Sequence, residues 1–263
     1  MNDTEKIIKD HYRFYDEDAR LLSKHGKVEF VTTMRYIERY LKKGDRVLEI
    51  GAGTGRYSHT IAQKGYRVDA VELSEHNIEI LKNGITEKEN LTVTQGNALN
   101  LSFIEDETYD ITLLLGPMYH LFTNEDSKLA LSEALRVTKK GGIIFASYCG
   151  NDATVVQFFF GKNMTATPPY DSLFDRKTFK FSSIPEEVFA LHRKEDIDEL
   201  MSGFDCTRLH FVGTDMATQY MREVVDAMDE STYSLYLDYV FATCERTDLV
   251  GASNHLLDIF RKN

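Results

Sequence analysis

The chain has 263 residues, 42% of them hydrophobic, and a formal net charge of −11 from 31 Lys and Arg against 42 Asp and Glu. That is enough apolar material for a substantial core, and α/β domains commonly exceed the ~150-residue norm, so one α/β domain with additions is expected. The acidic excess opposes nucleic acid and anionic membrane at long range, so polyanionic partners are disfavoured. Cys149, Cys206 and Cys244 lie far apart without metal-type spacing, which excludes a disulfide framework or zinc site and predicts reduced thiols. No apolar run approaches ~18 residues, and Met-Asn-Asp-Thr-Glu-Lys carries no charged-then-apolar signal, so a soluble cytoplasmic protein is expected.

In chain order, residues 4 to 24 set Ile7, Ile8, Tyr12, Phe14, Tyr15, Leu21 and Leu22 among charges, which predicts one or two short amphipathic helices. Val28 to Leu41 repeats apolar residues at three and four, a helix ended before Gly44. Val47, Leu48 and Ile50 then suit a buried parallel strand that stops at Gly51-Ala-Gly-Thr-Gly55, with the next helix starting near Arg56. Tyr66 to Val71 is the second strand, ending at Glu72. Ser74 is a plausible N-cap for a helix through Leu81. Leu91 to Thr94 is a third strand before the turn Gly96-Asn97-Ala98, and Tyr109 to Leu115 a fourth, stopped by Gly116-Pro117. Asp126 to Val137 reads as helix, and Gly141-Gly142 as a turn into a fifth strand, Ile143 to Tyr148. Such regular alternation predicts a doubly wound parallel sheet.

Beyond Cys149 the period fades. Residues 151 to 192 hold Phe158-Phe159-Phe160 and Pro168-Pro169, and read as an inserted cap with a Pro-Pro turn. Lys194 to Met201 resumes helix, Thr207 to Val212 strand, Gln219 to Met228 and Ser231 to Arg246 helix, and His255 to Phe260 a last strand.

Ligands of open parallel sheets bind at the C-terminal strand ends. Glycines at 51, 53 and 55 let a ligand approach the backbone, but Arg56 stands where a dinucleotide fingerprint has its third glycine. That argues for a ligand without a pyrophosphate and against an NAD-dependent oxidoreductase. Glu72, seventeen residues after Gly55, offers two oxygens to the hydroxyls of a ribose, or is a solvated strand end. Glu49 either attracts a cationic amino group or accepts from loop amides as a buried structural group.

Residues 45 to 122 resemble a class I S-adenosylmethionine-dependent methyltransferase. Asp-Arg-Val-Leu-Glu-Ile-Gly-Ala-Gly-Thr-Gly matches the first motif of that family, Val-Asp-Ala-Val-Glu-Leu-Ser the second and Gln-Gly-Asn-Ala-Leu the third. Tyr-Asp-Ile-Thr-Leu-Leu-Leu-Gly-Pro-Met-Tyr-His-Leu matches the fourth-strand segment. The resemblance implies a seven-stranded, mostly parallel sheet with an antiparallel final strand, completed by Thr207 to Val212 and His255 to Phe260. It implies S-adenosylmethionine as cofactor, S-adenosylhomocysteine as product, and no metal. By the same resemblance Glu49, Gly51, Ala52, Gly53, Thr54 and Gly55 lie at the methionine end, Glu72 and Leu73 at the ribose, Asn97, Ala98 and Leu99 at the adenine, and Leu115 and Gly116 beside the loop. Asn97 stands where the family usually has Asp; its carbonyl is expected to accept from the adenine amino group.

The expected organisation is one methyltransferase domain over 1–263: an N-terminal helical lid (1–25), a cofactor-binding core (26–149), a cap inserted after the fifth strand (150–200), and C-terminal helices and last strands (201–263). The expected acceptor is a small molecule, with neither nucleic acid nor membrane as partner. Tyr119 and His120, just past the fourth strand, and Tyr12 and Tyr15, from the lid, are the acceptor-side candidates. His120 reads equally as a general base or as a hydrogen bond that closes the site, and Tyr12 and Tyr15 also suit lid packing. A catalytically silent cofactor-binding protein is the remaining alternative.

Overall fold

The computed structural model describes residues 3–14 and 23–263, so Tyr15 lies outside the described residues. Helix α1 is Asp3–Phe14 and α2 is Lys24–Tyr40. The latter starts before Val28 because Ser23 Oγ accepts from the Gly26 N–H at 3.1 Å, a side-chain N-cap. The sheet then begins: β1 (Arg46–Ile50), α3 (Arg56–Gln63), β2 (Arg67–Glu72), α4 (Glu75–Gly84), β3 (Asn90–Gln95), β4 (Tyr109–Leu114), α5 (Asn124–Val137) and β5 (Thr138–Gly150). These form parallel pairs in the order β3-β2-β1-β4-β5. The doubly wound arrangement follows from burial on both faces. Leu48 and Ile50 of β1 enter one core with Ala130, Leu131 and Ala134 of α5, while Val47 enters another with Ile37 of α2 and Ile61 of α3. Each fully buried Leu, Ile or Val among them contributes about 1.5–3 kcal/mol.

Strand β5 corrects one expectation. Gly141-Gly142 is not a turn ahead of the strand but part of a bulge within it, where pairing with β4 jumps from Tyr109 opposite Thr138 to Ile111 opposite Ile143. After β5 come the cap elements α6 (Asn151–Thr154), a wide helical turn over Val155–Phe160, and α7 (Tyr170–Leu173). The cap then returns as β6 (Leu191–His192), parallel to the end of β5 at Cys149 and Gly150, where β4 has already stopped. Among the described residues the sheet therefore has eight strands, one short strand beyond the expected seven.

Helix α8 is Lys194–Met201 and β7 is Cys206–Gly213. The helix expected over Gln219 to Met228 is instead a 3-10 stretch, Met216–Met221, followed by the short α9 (Arg222–Asp226). Its entry is pinned, because Ser253 Oγ accepts from the Asp215 and Met216 amides at 3.3 and 2.9 Å and Met216 takes a φ of 47°. Helix α10 (Glu230–Thr243) leads to β8 (His255–Lys262), which inserts between β5 and β7 antiparallel to both. Among the described residues no helix is long and apolar enough to cross a membrane.

Candidate functional site

The C-terminal ends of β1, β2, β3 and β4 open into a cavity of about 290 Å³. Gly51 and Gly53 shape its floor. Gly51 has a φ of 73°, and a Cβ there would sit 2.6 Å from Pro117 Cδ, so only glycine lets the loop nest against the turn after β4. Gly53, at φ 57°, has open space where a side chain would stand, and its N–H donates to Glu72 Oε2 at 2.8 Å. Glu49, Ala52, Thr54, Leu73, Asn97, Ala98, Leu99, Leu115 and Gly116 also line this cavity, as do Glu72, Tyr119, His120 and Tyr12. Gly55 does not; it packs against Leu81, whose Cγ a Cβ would meet at 2.5 Å.

Glu72 is 6% exposed, and its second oxygen accepts from the Ser74 N–H at 2.8 Å and Asn77 Nδ2 at 3.4 Å. Burial raises its pKa despite the hydrogen bonds from Ser74 and Gly53. A carboxylate has about four lone-pair sites, so these contacts orient the group and leave acceptor capacity toward the cavity. Glu49 is buried under Ser58, whose hydroxyl donates to it, and burial, helped by the nearby charge of Glu72, pushes its carboxyl up to about 8. Asn97 Oδ1 accepts from the Leu99 N–H at 2.9 Å and Nδ2 donates to Glu5 at 2.7 Å, so its carbonyl already holds one bond and retains a second lone pair.

Helix α1 covers the cavity through one face. Thr4, Glu5, Ile8 and Tyr12 line it at helical spacing, and Lys9 pairs with Glu75 at 3.3 Å. The Tyr12 hydroxyl lies 2.8 Å from His120 Nε2, and His120 Nδ1 donates to the Val188 carbonyl at 2.8 Å. Both ring nitrogens are thus engaged, which makes the Nδ1–H tautomer the consistent one. Burial holds the imidazole down to about 4. The Ala190 N–H donates to the Tyr119 carbonyl at 2.6 Å, so the turn Pro117–His120 is bolted to the cap. Ser147 Oγ hydrogen-bonds both the Tyr119 hydroxyl at 2.8 Å and the Leu115 carbonyl at 2.5 Å.

A second cavity of about 500 Å³ lies on the far side of Tyr12 and Tyr119, which line both. Phe158, Phe159, Tyr170, Phe181 and Phe189 of the cap give it aromatic walls. His255, at the start of β8, stands in its lining, while Glu29 of α2 lines the smaller cavity. These two meet: Glu29 Oε2 is 3.4 Å from His255 Nδ1, and Asp215 Oδ2 is 2.8 Å from the same nitrogen. Sequence reasoning missed Glu29, Ser147, Asp215 and His255. No spacing rule connects them, since a helix, two strands and a loop bring them together.

The arrangement is the fold of class I methyltransferases. Residues 47–142 match the family model described as a methyltransferase domain, and the cofactor this family indicates is S-adenosylmethionine. The chain is 35% identical over 113 residues to a demethylmenaquinone methyltransferase of Thermobifida fusca (strain YX), covering 42% of this chain and 45% of that one. It is 28% identical over 163 residues to a cypemycin N-terminal methyltransferase of Streptomyces sp, covering 58% and 63%. Both alignments span less than two thirds of the relative. Magnesium protoporphyrin IX methyltransferase from Synechocystis PCC 6803, solved with bound S-adenosylhomocysteine, shares the fold at a TM-score of 0.61 and 13% identity, covering 99% of this chain and 100% of that one.

Proposed function

We propose that this protein transfers the methyl group of S-adenosylmethionine to a small-molecule acceptor held in the larger cavity. The observation that carries this reading is the pair of cavities that share Tyr12 and Tyr119 as a common wall. One is built from the glycine loop and the polar strand ends, and the other from the aromatic cap. The cofactor supplies an activated methyl group on a sulfonium; the rest falls to the chain.

The residues fit that cofactor. Glu72, pre-oriented by the Gly53 and Ser74 amides, is assigned to the ribose hydroxyls. Leu73, Ala98 and Leu99 offer apolar walls for an adenine, with Asn97 at its edge. Glu49, on the floor, is assigned to the cationic amino group, which would draw its carboxyl back toward ionisation. Charge supports the choice of ligand: the lining holds Glu5, Glu29, Glu49, Glu72 and Asp126 against Arg56, a set that favours a cation and opposes a diphosphate. The open position at Gly53 allows close backbone approach.

On the acceptor side, Tyr119 forms the wall between donor and acceptor. His120, with both nitrogens engaged, suits the closing of the site: it ties the Tyr12 hydroxyl of α1 to the Val188 carbonyl of the cap. We treat residues 1–25 as a lid and 150–200 as the acceptor cap of one domain. We also read the protein as cytoplasmic, a location that its free cysteines, two of them buried, support. Calorimetric titration with S-adenosylhomocysteine tests the reading. Micromolar binding is expected. NADH bound instead, seen by nicotinamide fluorescence, would replace it with the oxidoreductase alternative.

A further inference from the structure

The functional reading leaves the charge of the larger cavity unused. Among the described residues its lining holds Lys162 and Arg222 against one carboxylate, Glu187. Cations beside its lining residues are neutralised: Lys180 by Asp196 at 2.5 Å, Arg193 by Asp152 at 2.7 Å and Lys24 by Glu230 at 2.9 Å. The two in the lining differ, since among the described residues neither forms an ion pair. Lys162 Nζ lies 4.4 Å from the centroid of the Phe158 ring, a contact that orients an ammonium without cancelling its charge. Arg222 Nε donates to Gln219 Oε1 at 2.7 Å, so a neutral amide holds the guanidinium and its other N–H groups keep their donor capacity. Gln219 lines the same cavity and is itself 7% exposed. Glu187 is engaged in turn: its hydrogen bond with Tyr170 raises the pKa of that phenol. The location is as informative as the chemistry. Lys162 and Arg222 are exposed and so stand at the cavity mouth, while Tyr12 and Tyr119 form the wall shared with the donor cavity.

We propose that the acceptor is a small aromatic compound carrying an anionic group, carboxylate or phosphate, and that Lys162 and Arg222 select it by binding that group at the cavity mouth. The inference rests on the functional reading above. The aromatic lining contributed by Phe158, Phe159, Phe181 and Phe189 takes the body of the acceptor. The anion is an anchor, distinct from the atom that receives the methyl group, which has to reach the wall at Tyr119. A guanidinium and an ammonium suit either anion, the first as a planar fork and the second as a point charge. Because both cations are exposed, pairing them costs little desolvation and gives the modest return of partly screened ion pairs, about threefold each or about tenfold together. A neutral analogue of the same shape forgoes that factor, and a cationic one meets two like charges. The two cavities thereby sort their ligands by sign, the acidic one for the sulfonium donor and the cationic mouth for an anionic acceptor.

The test is calorimetric titration of the full chain, with and without saturating S-adenosylhomocysteine. The probes are naphthoate, indoleacetate and hydroxyphenylacetate, the neutral carboxamide of each, naphthyl phosphate and naphthylmethylamine. The acids are expected to bind about tenfold tighter than their amides, with the amine weakest, and naphthoate against naphthyl phosphate shows which anion fits the pair of cations better. Lys162→Gln combined with Arg222→Gln should abolish the preference for acids and leave the S-adenosylhomocysteine Kd within about threefold. Lys162→Glu combined with Arg222→Glu should turn the preference toward the amine, an outcome that a merely damaged cavity does not give. Both side chains are exposed, so these variants should melt close to the wild type. Equal binding of acids and amides, an amine preference in the wild type, an acid preference that survives the double Gln variant, or no anionic probe bound at all would overturn the proposal. Failure of the wild type to bind S-adenosylhomocysteine is a separate result that strikes the functional reading itself, and the acid preference is then still measured in the unliganded chain.

Discussion

Replacing Glu72 with alanine separates binding from scaffolding at the centre of the donor cavity. The carboxylate makes 2.8 Å bonds to the Gly53 and Ser74 amides while 6% exposed, so its removal strips both amides of their acceptor. Leaving a buried donor unsatisfied costs about 1–3 kcal/mol, which predicts a lower Tm for the unliganded variant and a looser glycine loop. The ligand loses more directly. Two charge-assisted hydrogen bonds from ribose hydroxyls are worth about 1.5–3 kcal/mol each, so the S-adenosylhomocysteine Kd should rise about 10²–10⁴-fold. Because the variant is itself destabilised, the assay is isothermal calorimetry below both melting transitions rather than a thermal shift. Glu72→Gln is the control: it keeps the volume and one carbonyl oxygen but loses the charge and turns an N–H₂ group toward backbone donors, so an intermediate loss is expected. Equal affinity in wild type and Glu72→Ala would refute the ribose assignment, whatever happens to the melting temperature.

Glu49, held up at about 8 from 4.5, keeps a proton in the folded state that the unfolded chain releases, so its contribution is present below pH ~4.5 and lost as pH rises through about 8. Wild-type stability should therefore fall more steeply than that of Glu49→Gln between about pH 5 and 8, by a few kcal/mol at most in urea titrations, while the variant binds S-adenosylmethionine more weakly. Tyr12→Phe removes the hydroxyl that meets His120, and hydrogen exchange in α1 should accelerate about fivefold, in keeping with one bond worth ~1 kcal/mol; unchanged exchange would deny α1 its latch. Tyr119→Phe loses the bond to Ser147 and should lower kcat while leaving S-adenosylhomocysteine affinity within about threefold; the reverse split would move Tyr119 to the cofactor side. RNA and DNA should show no salt-sensitive binding at low micromolar concentration in gel shifts, given the net charge of −11.

The parts that were legible in the sequence are those in which local pattern and final contact coincide. The apolar run Val47 to Ile50 ends at glycines whose positive φ angles the loop requires, and Glu72 falls two residues before the Ser74 cap that its own carboxylate helps to order. Such features are carried within some twenty residues of chain. Elsewhere the pattern misled because tertiary contacts overrode it. Gly141-Gly142 has the composition of a turn, yet pairing with β4 before it at Thr138 and after it at Ile143 carries β5 through it as a bulge. The apolar spacing of Gln219 to Met228 suits an α-helix, but Ser253, far along the chain, grips its entry and imposes the tighter turn. The acceptor side shows the same effect more strongly. His255 lies on a strand expected only to complete the sheet, and it meets Asp215 and Glu29, with which it shares no local pattern.

The distribution of charge explains how one small domain can keep its donor and acceptor chemistry apart. Carboxylates concentrate in the donor cavity, where Glu49 and Glu72 are both buried and the charge of Glu72 raises the cost of ionising Glu49. That cost falls when a positive charge enters, so the cavity is least stable when empty and gains most from a ligand that brings a cation. A methyl donor carries such a charge at its sulfonium, and the thioether left after transfer does not. The same acidic lining that opposes a pyrophosphate therefore favours the donor over its own product, with no contact that differs between them. The acceptor cavity has the opposite character, with aromatic walls and two cations, Lys162 and Arg222, against one carboxylate, Glu187.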